Sequence, residues 1–166
     1  MMENPEVAAA LGMAGGFACL AFSAMGSAIG AGVAAMSSIG AWKKCYAQNK
    51  AAPFLLLAFM GAPLTQTFYG LILMGSIHEA AGKAGALFPA LLSAGILGGI
   101  AMGVSAWMQG RAAAGAADSL AETGKGFAND MIALGIVETV ALFVMVFSMM
   151  AVGTVVDLVA KVAAGA

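Results

Sequence analysis

Four stretches of this chain carry almost no charge, and each is long enough to cross a lipid bilayer. No Asp, Glu, Lys or Arg occurs from Val7 to Trp42, from Ala51 to Ile77 or from Ala84 to Gly110. From Met131 to Val156 there is one, Glu138. About 20 apolar residues suffice to carry a helix across roughly 30 Å of hydrocarbon. In lipid the backbone must satisfy its own hydrogen bonds, so apolar runs of this length predict helices. Only 9% of the 166 residues are charged, against about 25% in an ordinary soluble domain. That is too little charge to clothe a water-soluble globule. The expected fold is therefore an all-α membrane protein whose four transmembrane helices form two tandem antiparallel hairpins. Residues 1–79 form the first hairpin, and residues 80–166 form the second, which carries the carboxylate.

Charge also orients the spans. The polar connectors are Lys43–Lys50, His78–Lys83 and Arg111–Asp130. Lys43, Lys44, Lys50, Arg111 and Lys125 fall in the first and third of these, five of the seven Lys and Arg. Cations favour the cytoplasmic side, so loops 43–50 and 111–130 are expected in the cytoplasm and both termini outside a cell membrane. Trp42 and Tyr46 suit that cytoplasmic interface. The acidic N-terminal residues Met1–Glu6 do not resemble a signal peptide, so an uncleaved first helix is expected. With a net charge of −1 and no basic patch, the chain offers nothing to nucleic acid. Cys19 and Cys45 stand apart and make neither a disulfide framework nor a metal motif.

The two halves resemble each other. The first and third spans are rich in small residues: Gly26, Ser27, Ala28, Gly30, Ala31 and Gly32 in one, Gly95, Gly98, Gly99 and Gly103 in the other. The second and fourth are bulkier, with Phe54, Phe59 and Phe68 against Phe143, Met145 and Phe147. Small residues let helix backbones approach closely. Slim helices can crowd round an axis while bulky ones face lipid, an arrangement suited to a ring of copies.

Glu138 is the sharpest feature. A carboxylate at mid-membrane costs roughly 2.5–3.5 kcal/mol on insertion scales, and such residues are by default functional candidates. Gln66 holds the matching place in the second span, with Thr65 and Tyr69 beside it; Ala62, Thr65, Gln66 and Tyr69 share one helical face. Pro63 cannot donate a backbone hydrogen bond, so it should kink the helix and free a carbonyl nearby. Gln109 lies about 14 residues before a turn near Thr123–Gly124 and Glu138 about 14 after it, so at about 1.5 Å per residue both stand roughly 20 Å from the turn. The two should meet. The same count in the first hairpin, with its turn near Gln48, sets Gln66 level with Gly30.

The Thr65 hydroxyl, the Gln66 and Gln109 amide oxygens, a backbone carbonyl and the Glu138 carboxylate make an all-oxygen, singly charged site. Hard cations take oxygen ligands, and one carboxylate balances one monovalent ion. A proton alone would need the carboxylate but not the other donors, so Na⁺ is favoured over H⁺. Tyr69 is placed to bond the carboxylate and lock it.

Three motifs on two Gly-rich hairpins carry a family resemblance: P-L-T-Q-T-F-Y-G at Pro63–Gly70, M-Q-G-R-A-A-A-G at Met108–Gly115 and V-E-T at Val137–Thr139. Over essentially its whole length the chain resembles the duplicated proteolipid, the K or c rotor subunit, of the V-type and A/V-type ATPases. The resemblance is to the sodium-translocating members, and so to a bacterial or archaeal enzyme. It implies Na⁺ ligands at Thr65, Gln66, Gln109 and Glu138, the backbone carbonyl near Ala62 as a further ligand, and Tyr69 as the lock. Arg111 and Leu64 stand where that family often has Lys and Gly. It also implies a homo-oligomeric ring of about ten copies, a stator membrane subunit whose arginine faces Glu138, and a central stalk on the cytoplasmic loops. One carboxylate per four helices would lower the ion-to-ATP ratio and favour pumping over synthesis. The chain has no G-x-x-x-x-G-K-[ST] loop, so it is not expected to bind nucleotide or to be an enzyme by itself. Two other classes compete: a small proton-coupled secondary transporter with Glu138 as its coupling site, and a structural four-span protein without transport.

Overall fold

The computed structural model describes residues 4–84 and 87–165. Its helices are α1 (Pro5–Ala47), α2 (Leu56–Gly61), α3 (Thr65–Ala84), α4 (Phe88–Thr123) and α5 (Phe127–Ala163), and a single 3-10 turn, Ala62–Leu64, joins α2 to α3. Among the described residues, four helical segments are long and apolar enough to span a membrane: α1, the α2–α3 unit Leu56–Ala84, α4 and α5. The fold is all-α, with no strand among the described residues.

Local chemistry sets the helix ends. Asn4 caps α1, its side chain accepting from the Glu6 N–H at 2.9 Å, with Pro5 in the first turn where a missing N–H costs nothing. α4 stops at Gly124, which takes a left-handed φ of 67° and donates its N–H to the Leu120 carbonyl. Gly126, at φ 93°, turns the chain into α5. Pro63 interrupts the α-helix: α2 ends at Gly61 and α3 begins at Thr65, with the tighter turn between.

The helices outrun the apolar spans. The expected connectors 43–50 and 111–130 are helical over 43–47, 111–123 and 127–130, leaving only 48–55 and 124–126 as links. The His78–Lys83 connector is the end of α3, and the boundary drawn at 79/80 falls inside that helix. Charge marks where lipid ends, not where a helix ends. Ala, Glu, Lys and Arg are good helix formers and carry the backbone bonds on into water. α1, with 43 residues, is about 65 Å long at the rise of an α-helix, twice the hydrocarbon thickness.

Glycines govern the packing of the slim helices. α1 and α4 run parallel in contact along their length: Gly15 lies against Gly95, Gly26 against Gly103 and Gly30 against Gly110. A Cβ at Gly26 would sit 2.0 Å from the Gly103 carbonyl oxygen, and one at Gly110 would sit 2.2 Å from that of Gly30. Only hydrogen fits there, so the backbones themselves are in van der Waals contact. The Ser37 hydroxyl adds a bond to the Ala114 carbonyl at 2.8 Å. α3 runs antiparallel to α1, with Gly12 opposite Ala81, Ser23 opposite Gly70 and Gly30 opposite Pro63. Gly30 thus faces Pro63, not Gln66 as counting from the turn suggested. The link 48–55 is not helical, so rise per residue does not carry through it.

Of the bulky side chains, Phe59 and Met145 are buried, because each helix turns one face inward and they lie on it. Phe54, Phe68, Phe143 and Phe147 are exposed, as their size suggested. Met25, Ile29 and Leu97 on the slim helices are exposed as well. Lys44 pairs with Glu122 where α1 and α4 leave the apolar region. The hydrogen bond from Lys44 holds the Glu122 carboxylate below its ordinary range and the lysine above its own. Both groups are solvent-exposed, so the pair contributes little to stability.

Candidate ion-binding site

Two apolar clusters fill the bundle. One, toward the 48–55 and 124–126 links, contains Leu56, Phe59, Leu120 and Leu134. The other, toward the far end, contains Leu73, Ile77, Leu91, Met102 and Met145. Between them lies a polar layer made by α3, α4 and α5. Gln66 and Gln109 are fully buried in it, at 0% exposure each. A buried amide without partners would be costly, and these two satisfy each other: Gln66 Nε2 donates to Gln109 Oε1 at 2.8 Å. Gln109 Nε2 in turn donates to the Leu134 carbonyl at 3.1 Å and to Glu138 Oε2 at 3.3 Å. The other carboxylate oxygen accepts from the Tyr69 hydroxyl at 2.7 Å. The Thr65 hydroxyl lies 3.3 Å from Gln66 Oε1 and donates to the Ala62 carbonyl at 3.2 Å.

Of the five side chains singled out in the sequence, Tyr69, Glu138, Gln109 and Gln66 form a continuous hydrogen-bonded chain. The Thr65 hydroxyl beside Gln66 Oε1 can give its one proton either to that oxygen or to the Ala62 carbonyl. Depth-matching in the second hairpin succeeds because its turn is short and both arms are helical. Helix α3 presents Thr65, Gln66 and Tyr69 on one face because it restarts cleanly after Pro63. Ser105 was not anticipated. Its hydroxyl donates to the Val137 carbonyl at 3.0 Å and ties α4 to the turn of α5 that carries Glu138. Its position one turn before Gln109 was the available signal.

Glu138 is only half-buried, and its carboxylate is held by donors on both oxygens. Such charge-assisted bonds are the stronger kind. The Tyr69 bond fixes the orientation of the group and the Gln109 bond ties it to the buried amides. The arrangement can hold a carboxylate in one place inside a membrane, and it sets several further oxygens close by.

Comparison with known families bears on what such a carboxylate does. Residues 92–151 match the family of the ATP synthase C subunit. This match covers most of α4 and α5 and includes both Gln109 and Glu138. The match spans little more than a third of the chain, and with the four long apolar helices it supports a multi-pass membrane proteolipid of that kind. No curated protein matches the chain.

One expectation concerns the tyrosine. Tyr69→Phe removes only the hydroxyl that holds Glu138, and hydrogen bonds to charged groups contribute about 1.5–3 kcal/mol. If Glu138 is the ion site that the sequence leads one to expect, its affinity should fall by roughly tenfold to a hundredfold. Titrating the protection of Glu138 from carbodiimide in the variant measures this, and an unchanged titration removes Tyr69 as the lock.

Proposed function

We propose that this chain is the rotor-ring proteolipid of a V-type ATPase and that each copy carries one Na⁺ across the membrane at Glu138. The observation that carries the reading is the polar layer, in which one intramembrane carboxylate is hydrogen-bonded to Tyr69 and Gln109, Gln109 to Gln66, and the Thr65 hydroxyl lies within reach of both Gln66 Oε1 and the Ala62 carbonyl. The family match over residues 92–151 supports the rotor class. The V-type assignment rests on the four-helix, two-hairpin chain and the motifs around Gln66, Gln109 and Glu138.

On this reading Glu138, Gln66, Gln109, Thr65 and the Ala62 carbonyl bind Na⁺ through oxygen. Loading needs the Gln66 and Gln109 amides to turn their oxygens toward the ion. The bound pair of Na⁺ and carboxylate is neutral, so it can travel past lipid without the cost of a bare charge. Copies form a membrane ring against a stator protein whose arginine displaces the ion. A central stalk grips the end of the bundle that carries Lys44, Glu122 and the links 48–55 and 124–126. That end is cytoplasmic by its cations. Gln66 replaces a carboxylate in the first hairpin, so each chain carries one ion per passage, and hydrolysis-driven pumping is favoured over synthesis.

Carbodiimide labelling tests the site and native mass measurement tests the ring. Dicyclohexylcarbodiimide should modify Glu138, and Na⁺ should protect it at neutral pH. Gln66→Ala and Gln109→Ala should each weaken that protection by roughly tenfold or more, since each removes an oxygen donor and leaves a buried partner unpaired, while the ring still assembles. Labelling that no Na⁺ concentration prevents would assign the site to protons. A monomer or dimer in mild detergent, in place of a ring of many copies, would leave the proton-coupled transporter as the better reading.

A further inference from the structure

The register of α1 against α3 brings a residue to the polar layer that the ligand set does not include. Gly12 meets Ala81, Ser23 meets Gly70 and Gly30 meets Pro63. Ser27 lies one turn after Ser23 and just under one turn before Gly30. On the opposing helix Gln66 lies one turn before Gly70 and just under one turn after Pro63. Positions spaced in this way share a helical face, so Ser27 stands opposite Gln66 across the α1–α3 interface.

Ser27 is 2% exposed, and its hydroxyl has no hydrogen-bond partner among the described residues. Most buried serines in a helix bond back to a carbonyl one turn earlier, as Ser23 does to Cys19 at 2.9 Å. Ser27 makes no such bond. An unpartnered buried hydroxyl is costly enough to call for a reason. Gln66 offers one, because its amide carries two N–H groups and only one is used, toward Gln109.

We propose that Ser27 is a positioning residue for ion loading: its hydroxyl oxygen accepts the Gln66 amide N–H when the amide oxygen turns to the ion. The inference rests on the Na⁺ reading of the site. Gln66 Nε2 is otherwise satisfied by Gln109 Oε1. Once both amide oxygens face a cation, that bond is lost and the Gln66 NH₂ group needs another acceptor within a dry interface. Ser27 stands at its level and is free. It touches no ion; it lowers the cost of the loaded state by giving the displaced donor a partner.

Ser38 supplies a matched control. It lies on the same helix, is 0% exposed and has an equally unpartnered hydroxyl, but it stands roughly three turns beyond Ser27 toward the 48–55 link, away from the polar layer. Sodium protection of Glu138 from carbodiimide should be measured in rings of wild type, S27A, S38A, Q66A and the S27A/Q66A pair. Ser27→Ala should raise the Na⁺ concentration for half-protection roughly tenfold, the effect of one buried hydrogen bond, and Ser38→Ala should leave it unchanged. In the Gln66→Ala background, Ser27→Ala should add nothing, because it acts through the missing amide. Equal losses in S27A and S38A, no loss in S27A, or an undiminished loss on top of Q66A would each overturn the assignment while leaving the Na⁺ site standing. Should Q66A protect too weakly to titrate, the comparison of S27A with S38A decides. Wild-type rings that Na⁺ never protects would refute the Na⁺ reading, and this inference with it.

Discussion

On the proposed function, Glu138→Gln should abolish Na⁺ transport while leaving the folded ring in place. The amide keeps the size of the side chain and can still accept the 2.7 Å hydrogen bond from Tyr69. Its NH₂ group then faces Gln109 Nε2, and that 3.3 Å bond is lost. Gln109 keeps its bonds to the Leu134 carbonyl and to Gln66, so α3, α4 and α5 stay packed. The missing charge is another matter. Leaving one member of a buried charge pair alone costs on the order of 3–5 kcal/mol, a loss of affinity of roughly 100-fold or more. Equilibrium binding of radioactive sodium to the purified ring measures this directly, and carbodiimide labelling should vanish with it. Sodium binding of wild-type strength in the variant would place the ion somewhere other than Glu138. Loss of the ring itself would show that the carboxylate holds helices together rather than carrying an ion.

The second large effect concerns the seam between α1 and α4. Gly26→Ala places a methyl 2.0 Å from the Gly103 carbonyl oxygen and 2.3 Å from its Cα. These are backbone atoms, which cannot swing aside as a side chain end can, so the helices must move apart. Overpacking of this kind costs about 1–3 kcal/mol, and separating a seam that also includes Gly15–Gly95 and Gly30–Gly110 should put the variant at the upper end. Gly40→Ala is the contrast. It lies on the same helix with nothing within 4 Å of the added methyl, and Ala is the better helix former. Titration with sodium dodecyl sulfate, read by loss of helical circular dichroism, should show Gly26→Ala unfolding much earlier than wild type and Gly40→Ala unfolding no earlier. Equal midpoints would mean that close backbone approach does not hold α1 to α4. A displaced seam would also disturb Gln109, because α4 carries it into the polar layer.

The sequence alone determined the four spans and the singular place of Glu138. Lipid imposes a one-dimensional requirement: enough consecutive residues without charge, with every backbone bond closed inside the helix. That requirement can be read by counting. It also determined that Gln109 meets Glu138, because the second turn is only the short link 124–126 and regular helical rise runs down both arms. The direction of each amide could not be counted, nor could the bond from Ser105 to the Val137 carbonyl, because both depend on the angles at which helices pack. In the first hairpin counting failed outright. The link 48–55 and the tight turn at Ala62–Leu64 break the helical rise, and the register of α1 on α3 is set by which surfaces fit, Gly30 under Pro63 and Gly70 under Ser23. Tertiary packing therefore decided that Gly30 meets Pro63 and not Gln66, because steric fit between two helices is a property of their surfaces in space and not of distance along the chain.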